Sequence, residues 1–163
     1  MITKTVKARQ ILILWLIAAM LTVFVPVLLM GCAGTDASAK VTTSFDYEVS
    51  TGDRIKISLD GAKYKLSAKG EDFFVTDTVG NAVCWGTFGT MDVYDKSVDF
   101  LTKSDGTDNG VKVIDARDGF LFWEQKNKSY IVQVVGDTAV VFDSDVGSDI
   151  LKDVYNLVSL SKV

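Results

Sequence analysis

Residues 54–67, RIKISLDGAKYKLS, are the stretch that best predicts the fold. Polar and apolar residues alternate over 54–59 and again over 62–67, which is the pattern of a strand with one buried face. The Asp60-Gly61 pair between them is favoured in tight hairpin turns, where both central residues need positive φ. We therefore predict two antiparallel strands joined in a hairpin at this position.

The sequence that follows predicts further strands separated by short turns. Residues 73–76 and 82–88 are two candidate strands, with the turn-forming pair Gly80-Asn81 between them. Three or four more strands are predicted at 111–116, 120–124, 130–135 and 139–142. Connections this short favour antiparallel pairing.

Two segments carry the period of an amphipathic helix. Apolar residues recur at helical spacing from Met91 to Leu101, after Thr90, which suits an N-cap. A second apolar stripe runs through residues 148–160 and predicts a helix that ends near Leu160. Because each stripe must cover a sheet face, we predict an α+β domain with one mostly antiparallel sheet covered by two amphipathic helices.

The N-terminus has the pattern of an export signal. Residues 1–10 read MITKTVKARQ, with three basic residues and no acidic one, and residues 11–30 read ILILWLIAAMLTVFVPVLLM, with no charge. Basic residues stay on the cytoplasmic side while such an apolar stretch enters the bilayer. The domain that follows is therefore expected on the extracytoplasmic face of a membrane.

The apolar stretch ends in Leu29-Met30-Gly31-Cys32, which resembles the lipobox of bacterial lipoproteins. The resemblance implies cleavage between Gly31 and Cys32 and a diacylglycerol on the sulfur of Cys32. The protein would then contact the membrane through that lipid anchor. The alternative is an uncleaved anchor, because about twenty residues at ~1.5 Å per residue span a ~30 Å hydrocarbon core.

Three regions follow from these patterns. Residues 1–31 are predicted to be a lipoprotein signal peptide, residues 32–44 a lipidated cysteine with a flexible tether, and residues 45–163 a globular domain. The tether is small and polar with no periodic apolar pattern, so it has little surface to bury.

The order of elements across residues 54–160, with a terminal amphipathic helix, resembles the PsbP-like fold of several small secreted or lipid-anchored proteins. The chain is also similar to small Gram-positive lipoproteins of unknown function. That second family implies a location but no activity.

Charge and composition exclude several functions. The chain has 17 basic and 21 acidic residues, and three of the basic ones precede Cys32, which leaves 14 against 21 and a net charge of −7 from Cys32 onward. Such a domain is a poor nucleic-acid binder, because phosphate binding depends on Lys and Arg. The chain has no histidine, the commonest general base and metal ligand. No phosphate loop, nucleotide fingerprint, zinc spacing or catalytic triad is found, so no cofactor, metal or catalytic residue is predicted.

Aromatic residues give the one speculative ligand site, Trp123 with Trp85. In FLFWEQ at 120–125, the two phenylalanines share one face of a strand while Leu121 and Trp123 share the other. A strand that is apolar on both faces is either buried twice or exposes an aromatic patch to a ligand. Burial is the favoured interpretation, and Trp123, if it were exposed, would be the first binding-site candidate.

Two other features could indicate a nucleophile or a calcium site, but structural roles explain them better. Cys84 lies in an apolar strand and has no histidine to activate it, so we interpret it as a core residue rather than a nucleophile. The loops at 105–110 and 143–149 hold acidic residues that suit calcium, although the same residue types form turns and helix caps.

These observations favour a non-catalytic binding or interaction module at the cell envelope, with an unknown protein or small-molecule partner. One alternative is a carboxylate-dependent hydrolase, which requires two acids that face one cleft. The other is a scaffold subunit of an envelope complex, which would co-purify with a fixed partner.

Overall fold

A computed structural model describes residues 42–104 and 110–163, which form ten strands and two helices. Every pairing between these strands is antiparallel, as the sequence predicts. The elements in chain order are β1 (Thr42–Glu48), β2 (Arg54–Asp60), β3 (Tyr64–Lys69), β4 (Asp72–Asp77), β5 (Ala82–Thr90), α1 (Met91–Ser104), β6 (Val111–Arg117), β7 (Phe120–Gln125), β8 (Lys128–Val135), β9 (Thr138–Ser144), α2 (Ser148–Leu157) and β10 (Val158–Lys162).

The strands form two sheets, so the prediction of one sheet is wrong. A three-stranded sheet has the order β1-β2-β10, and a seven-stranded sheet has the order β3-β4-β5-β9-β8-β7-β6. In the small sheet, β2 is the central strand and pairs with β1 on one edge and with β10 on the other, and the alternating apolar side chains of β2 share one face. That face packs against the larger sheet.

Side chains from other elements pack on both faces of the seven-stranded sheet. On one face, Ile57 and Leu59 of the small sheet and Leu151 of α2 join the same buried cluster as Phe122. On the other face, Leu101 of α1 packs in a second cluster with the side chains of β7 that point the opposite way. Each helix therefore lies on the large sheet, as predicted, but the two lie on opposite faces and α2 shares its face with the small sheet.

The predicted hairpin at Asp60-Gly61 does not form. Its two strands exist as β2 and β3, but they belong to different sheets. Gly61 has a φ of 124°, whereas Lys126 is the only described residue other than glycine with positive φ. Asp60 therefore lacks the second positive φ of the tight hairpin turn, and the connection carries the chain from one sheet to the other.

The C-terminal helix is three residues shorter than predicted. It ends at Leu157, and Val158–Lys162 form β10. In this strand Val158 pairs with Leu59 and Leu160 pairs with Ile57. The apolar residues at 158 and 160 fit a strand as well as a helix, and the open edge of β2 offers backbone hydrogen bonds that favour the strand.

Strand β1 begins at Thr42, inside the segment predicted to be tether, because it pairs along the other edge of β2. The predicted signal peptide, Cys32 and the rest of the predicted tether lie outside the described residues, as do residues 105–109 of the acidic loop. Neither α1 nor α2 is long and apolar enough to cross a membrane.

Candidate functional site

One row of side chains crosses the face of the seven-stranded sheet that carries α1. Phe74 of β4 is paired with Trp85 of β5, and Trp85 with Asp143 of β9. Asp143 is paired in turn with Tyr130 of β8, and Tyr130 with Trp123 of β7. Because directly paired residues of antiparallel strands share a face, both tryptophans lie on the same side of the sheet.

The two tryptophans of this row differ in exposure. Trp123 is 7% exposed and stacks on Tyr130 with ring centroids 5.1 Å apart, in the cluster that includes Leu101 of α1. Its indole nitrogen has no hydrogen-bond partner among the described residues, so packing holds it in place. Trp85 is 50% exposed. The favoured interpretation of FLFWEQ is confirmed, because all four of its apolar residues are buried. Of the two tryptophans in the row, Trp85 is therefore the one that a ligand can reach.

A groove of about 320 Å³ lies beside Trp85. Phe74 supports the indole from one side, with ring centroids 5.6 Å apart. The lining residues come from β4, β5 and β9 and are Asp72, Trp85, Gly86, Thr87, Val141 and Asp143. The site therefore combines a flat apolar surface with two carboxylates.

Lysines lie near both carboxylates of this groove: Lys69 is the cross-strand partner of Asp72, and the charge of Asp143 acts on Lys128. Within residues 42–104 and 110–163, neither Asp72 nor Asp143 forms an ion pair. Lys128 is engaged by Asp145, at 3.0 Å. The hydrogen bond to Asp145 and then the charge of Asp143 raise the pKa of Lys128 above its ordinary value. The groove thus places beside an aromatic face two carboxylates that have no ion-pair partner in the described residues.

The sequence alone did not single out Asp72, and it offered Asp143 only as part of an acidic loop at 143–149. Asp143 is 58 positions from Trp85 in the chain, and only the pairing of β5 with β9 brings them together. The alternation along β4 gave a signal for Asp72, since it lies two residues before Phe74 and so shares its face. The alternation could not assign Asp72 to a site, because the sequence does not show which strand pairs with β4.

Cys84 lies on the opposite side of β5 and is buried, as the sequence predicts. Its side chain is 1% exposed and belongs to the core cluster. Burial, and then the charge of Asp143, raise the pKa of the thiol to about 12. A thiol with this pKa is almost fully protonated near neutral pH and is a weak nucleophile.

We expect Cys84 in the folded Cys32→Ser variant to react with iodoacetamide at pH 8 at least about a thousandfold more slowly than in guanidinium chloride. The Cys32→Ser change removes the second thiol of the chain. Mass spectrometry over a time course measures the adduct. Labelling at similar rates in the two conditions would show that Cys84 is accessible and ionised.

The acidic residues of the loop after β9 do not form a metal site. No group of three or more acidic or cysteine side chains suited to a metal ion occurs in the described parts of the chain. Asp145 instead pairs with Lys128, and Ser144 donates a hydrogen bond to the carbonyl of Val83 at 2.7 Å.

No protein-family model, no curated protein and no solved structure matches this chain. The resemblances to bacterial lipoproteins and to the PsbP-like fold stay predictions. What the chain does must be argued from its own residues.

Proposed function

We propose that this chain is a lipid-anchored extracytoplasmic protein whose domain is a non-catalytic binding module at the cell envelope, with the groove beside Trp85 as its binding site. One observation carries the proposal: a half-exposed indole lies over an open groove between two carboxylates that have no ion-pair partner in the described residues. A large aromatic side chain left half outside the core loses hydrophobic stabilisation, which a ligand that covers it would restore.

The anchor is supported by the N-terminal sequence. Three basic residues precede twenty uncharged ones, and Leu29-Met30-Gly31-Cys32 follows the lipobox pattern. A diacylglycerol on Cys32 would hold the protein at the outer face of the membrane. The small polar residues between Cys32 and β1 would keep the domain clear of the head groups.

The anchor is tested on the membrane-extracted protein beside its Cys32→Ser variant. We expect the wild-type chain to begin at Cys32 and to carry the added mass of acyl chains, whereas the variant keeps its N-terminal segment and gains no lipid. Intact-mass and N-terminal peptide analysis measure both. If both proteins begin at the original N-terminus without lipid, residues 11–30 are an uncleaved anchor.

The binding site is tested with a panel of envelope-derived peptides and saccharides on the detergent-extracted full chain. We expect at least one of these ligand classes to bind, and Trp85→Ala to weaken its affinity about tenfold, because the indole supplies most of the apolar contact. Ile150→Ala is the matched control, since Ile150 is 37% exposed on α2, which packs on the other face of the sheet. If no class binds in a Trp85-dependent manner, the proposed site is wrong.

A carboxylate-dependent hydrolase is a second candidate, because Asp72 and Asp143 line the same groove. Two carboxylates across one cleft can act as general acid and general base in glycoside hydrolysis. In that case envelope polysaccharide would be cleaved by the wild-type protein, and Asp72→Asn or Asp143→Asn would abolish product release. We favour binding, because the half-exposed indole of Trp85 offers contact area to a ligand without any chemical step.

A further inference from the structure

We infer that the Trp85 groove binds a basic peptide segment, with the guanidinium or ammonium group of an Arg or Lys side chain over the indole and between Asp72 and Asp143. This inference rests on the proposed binding function and names the ligand class. The indole face is the strongest aromatic acceptor for a cation among the natural side chains. The two carboxylates add Coulomb attraction at the same place, so the indole and the carboxylates both favour a positively charged group.

The acidic surface continues past the groove. A second groove, of about 200 Å³, is lined in part by Glu48 and Glu71, and Thr87 lines both grooves. Neither Glu48 nor Glu71 forms an ion pair with any residue that the structure describes. Acidic side chains on two adjoining grooves suit a segment that carries more than one positive charge.

Other ligand classes fit this surface less well. The two grooves have no Lys or Arg among their lining residues, so the charged groups that line them are all carboxylates, of which Asp46 is paired with Arg54. A neutral saccharide would gain the contact with Trp85, but it would leave Asp72 and Asp143 without a counter-charge. From Cys32 onward the chain has 21 acidic and 14 basic residues, which also steers cations toward it.

The test is calorimetric titration of the full chain, in a non-ionic detergent, with an acetylated and amidated oligoarginine. We expect binding that weakens as sodium chloride is raised, because exposed charge pairs are screened by salt. Trp85→Ala should weaken binding about tenfold and Trp85→Phe less, since a phenyl ring keeps part of the cation–π attraction. Asp143→Asn and Asp72→Asn should each weaken it about fivefold.

The control for loss of one negative charge is Asp118→Asn. Asp118 is exposed in the turn between β6 and β7, at the edge of the sheet farthest from β3 and β4. Oligoarginine binding should be almost unchanged in this variant. If Trp85→Ala and Asp118→Asn bind the peptide equally well, the attraction is non-specific and the inference is overturned.

Oligoglutamine and a neutral chitooligosaccharide are titrated in parallel. Salt-independent binding of either one that requires Trp85, without binding of oligoarginine, would overturn the cationic ligand while the proposed binding function stands. If oligoarginine does not bind and no ligand of the envelope panel binds through Trp85, both the inference and the proposed function fail.

Discussion

Gly86→Ala is expected to lower the free energy of unfolding by about 3 kcal/mol or more, because the added methyl group has no space. A Cβ atom at this position would lie 1.8 Å from the Cζ atom of Phe73 and 2.0 Å from its Cε2 atom. Phe73 is fully buried, and its ring contacts those of Phe88 and Phe142 at centroid distances of 5.6 and 5.2 Å. The ring therefore cannot move aside without disrupting its neighbours. Chemical denaturation of the full chain in detergent measures the loss.

Two variants make this prediction specific. Gly89→Ala, on the same strand, should cost less, since its Cβ would meet only the half-buried side chain of Val93. Phe73→Leu shortens the side chain that blocks Gly86, so Gly86→Ala should destabilise that background less than the wild type. Equal losses from Gly86→Ala in both backgrounds would show that Phe73 is not the obstacle.

Asp53→Asn is expected to lower the midpoint of thermal unfolding by about 10 °C, because a buried charge with several partners is removed. Asp53 is 6% exposed. Its carboxylate accepts hydrogen bonds from the backbone N–H of Asp137 at 2.8 Å and from Thr138 Oγ1 at 3.1 Å, and pairs with Lys162 Nζ at 2.5 Å. These contacts join the start of β2 and the end of β10 to the turn between β8 and β9, and so tie the small sheet to the large one.

The carboxylate of Asp53 also makes the stability of the fold depend on pH, in a direction that its pKa determines. The hydrogen bond from Lys162, and then that from the N–H of Asp137, hold the pKa of Asp53 below its ordinary value of 3.8. A carboxyl group with a lowered folded-state pKa stabilises the fold above its unfolded pKa, and this contribution is lost as the pH falls through the folded pKa. The difference in midpoint between the wild type and Asp53→Asn should therefore be constant near neutral pH and shrink below about pH 3.8.

The matched control is Asp46→Asn. Asp46 pairs with Arg54 at 3.4 Å, but their side chains are 42% and 54% exposed. Solvent screens such a pair, so we expect little change in the midpoint at any pH. A loss for Asp46→Asn as large as that for Asp53→Asn would mean that net charge, rather than the buried contacts, decides the effect.

Much of the local structure follows from the sequence, whereas the pairing does not. Alternation predicted strands close to β2 and β3, flanking turns predicted one close to β7, and helical spacing predicted α1 almost to the residue. Asp60-Gly61 predicted the wrong connection, because a turn dipeptide reports local preference and not which strand will be the neighbour. The C-terminal residues 158–160 carried both periods, and the free edge of β2 decided between them.

The candidate site shows the same division. Trp85 and Trp123 could be proposed from the sequence as aromatic residues, but their difference in exposure depends on where α1 lies on the sheet. The carboxylates of Asp72 and Asp143 were indistinguishable from other surface acids in the sequence. They became part of a site only when β4, β5 and β9 were placed side by side.

The sequence by itself determined the antiparallel, sheet-rich class of this domain, its two amphipathic helices and the core position of Cys84, because backbone periodicity and local turn chemistry act within a few residues. It also carries the whole argument for export and for lipid on Cys32. The tertiary structure alone decided that the strands divide into two sheets and that Trp85 stands in a groove between two acids. Those outcomes depend on contacts between residues far apart in the chain, where burial and register select one arrangement among many that the local pattern allows.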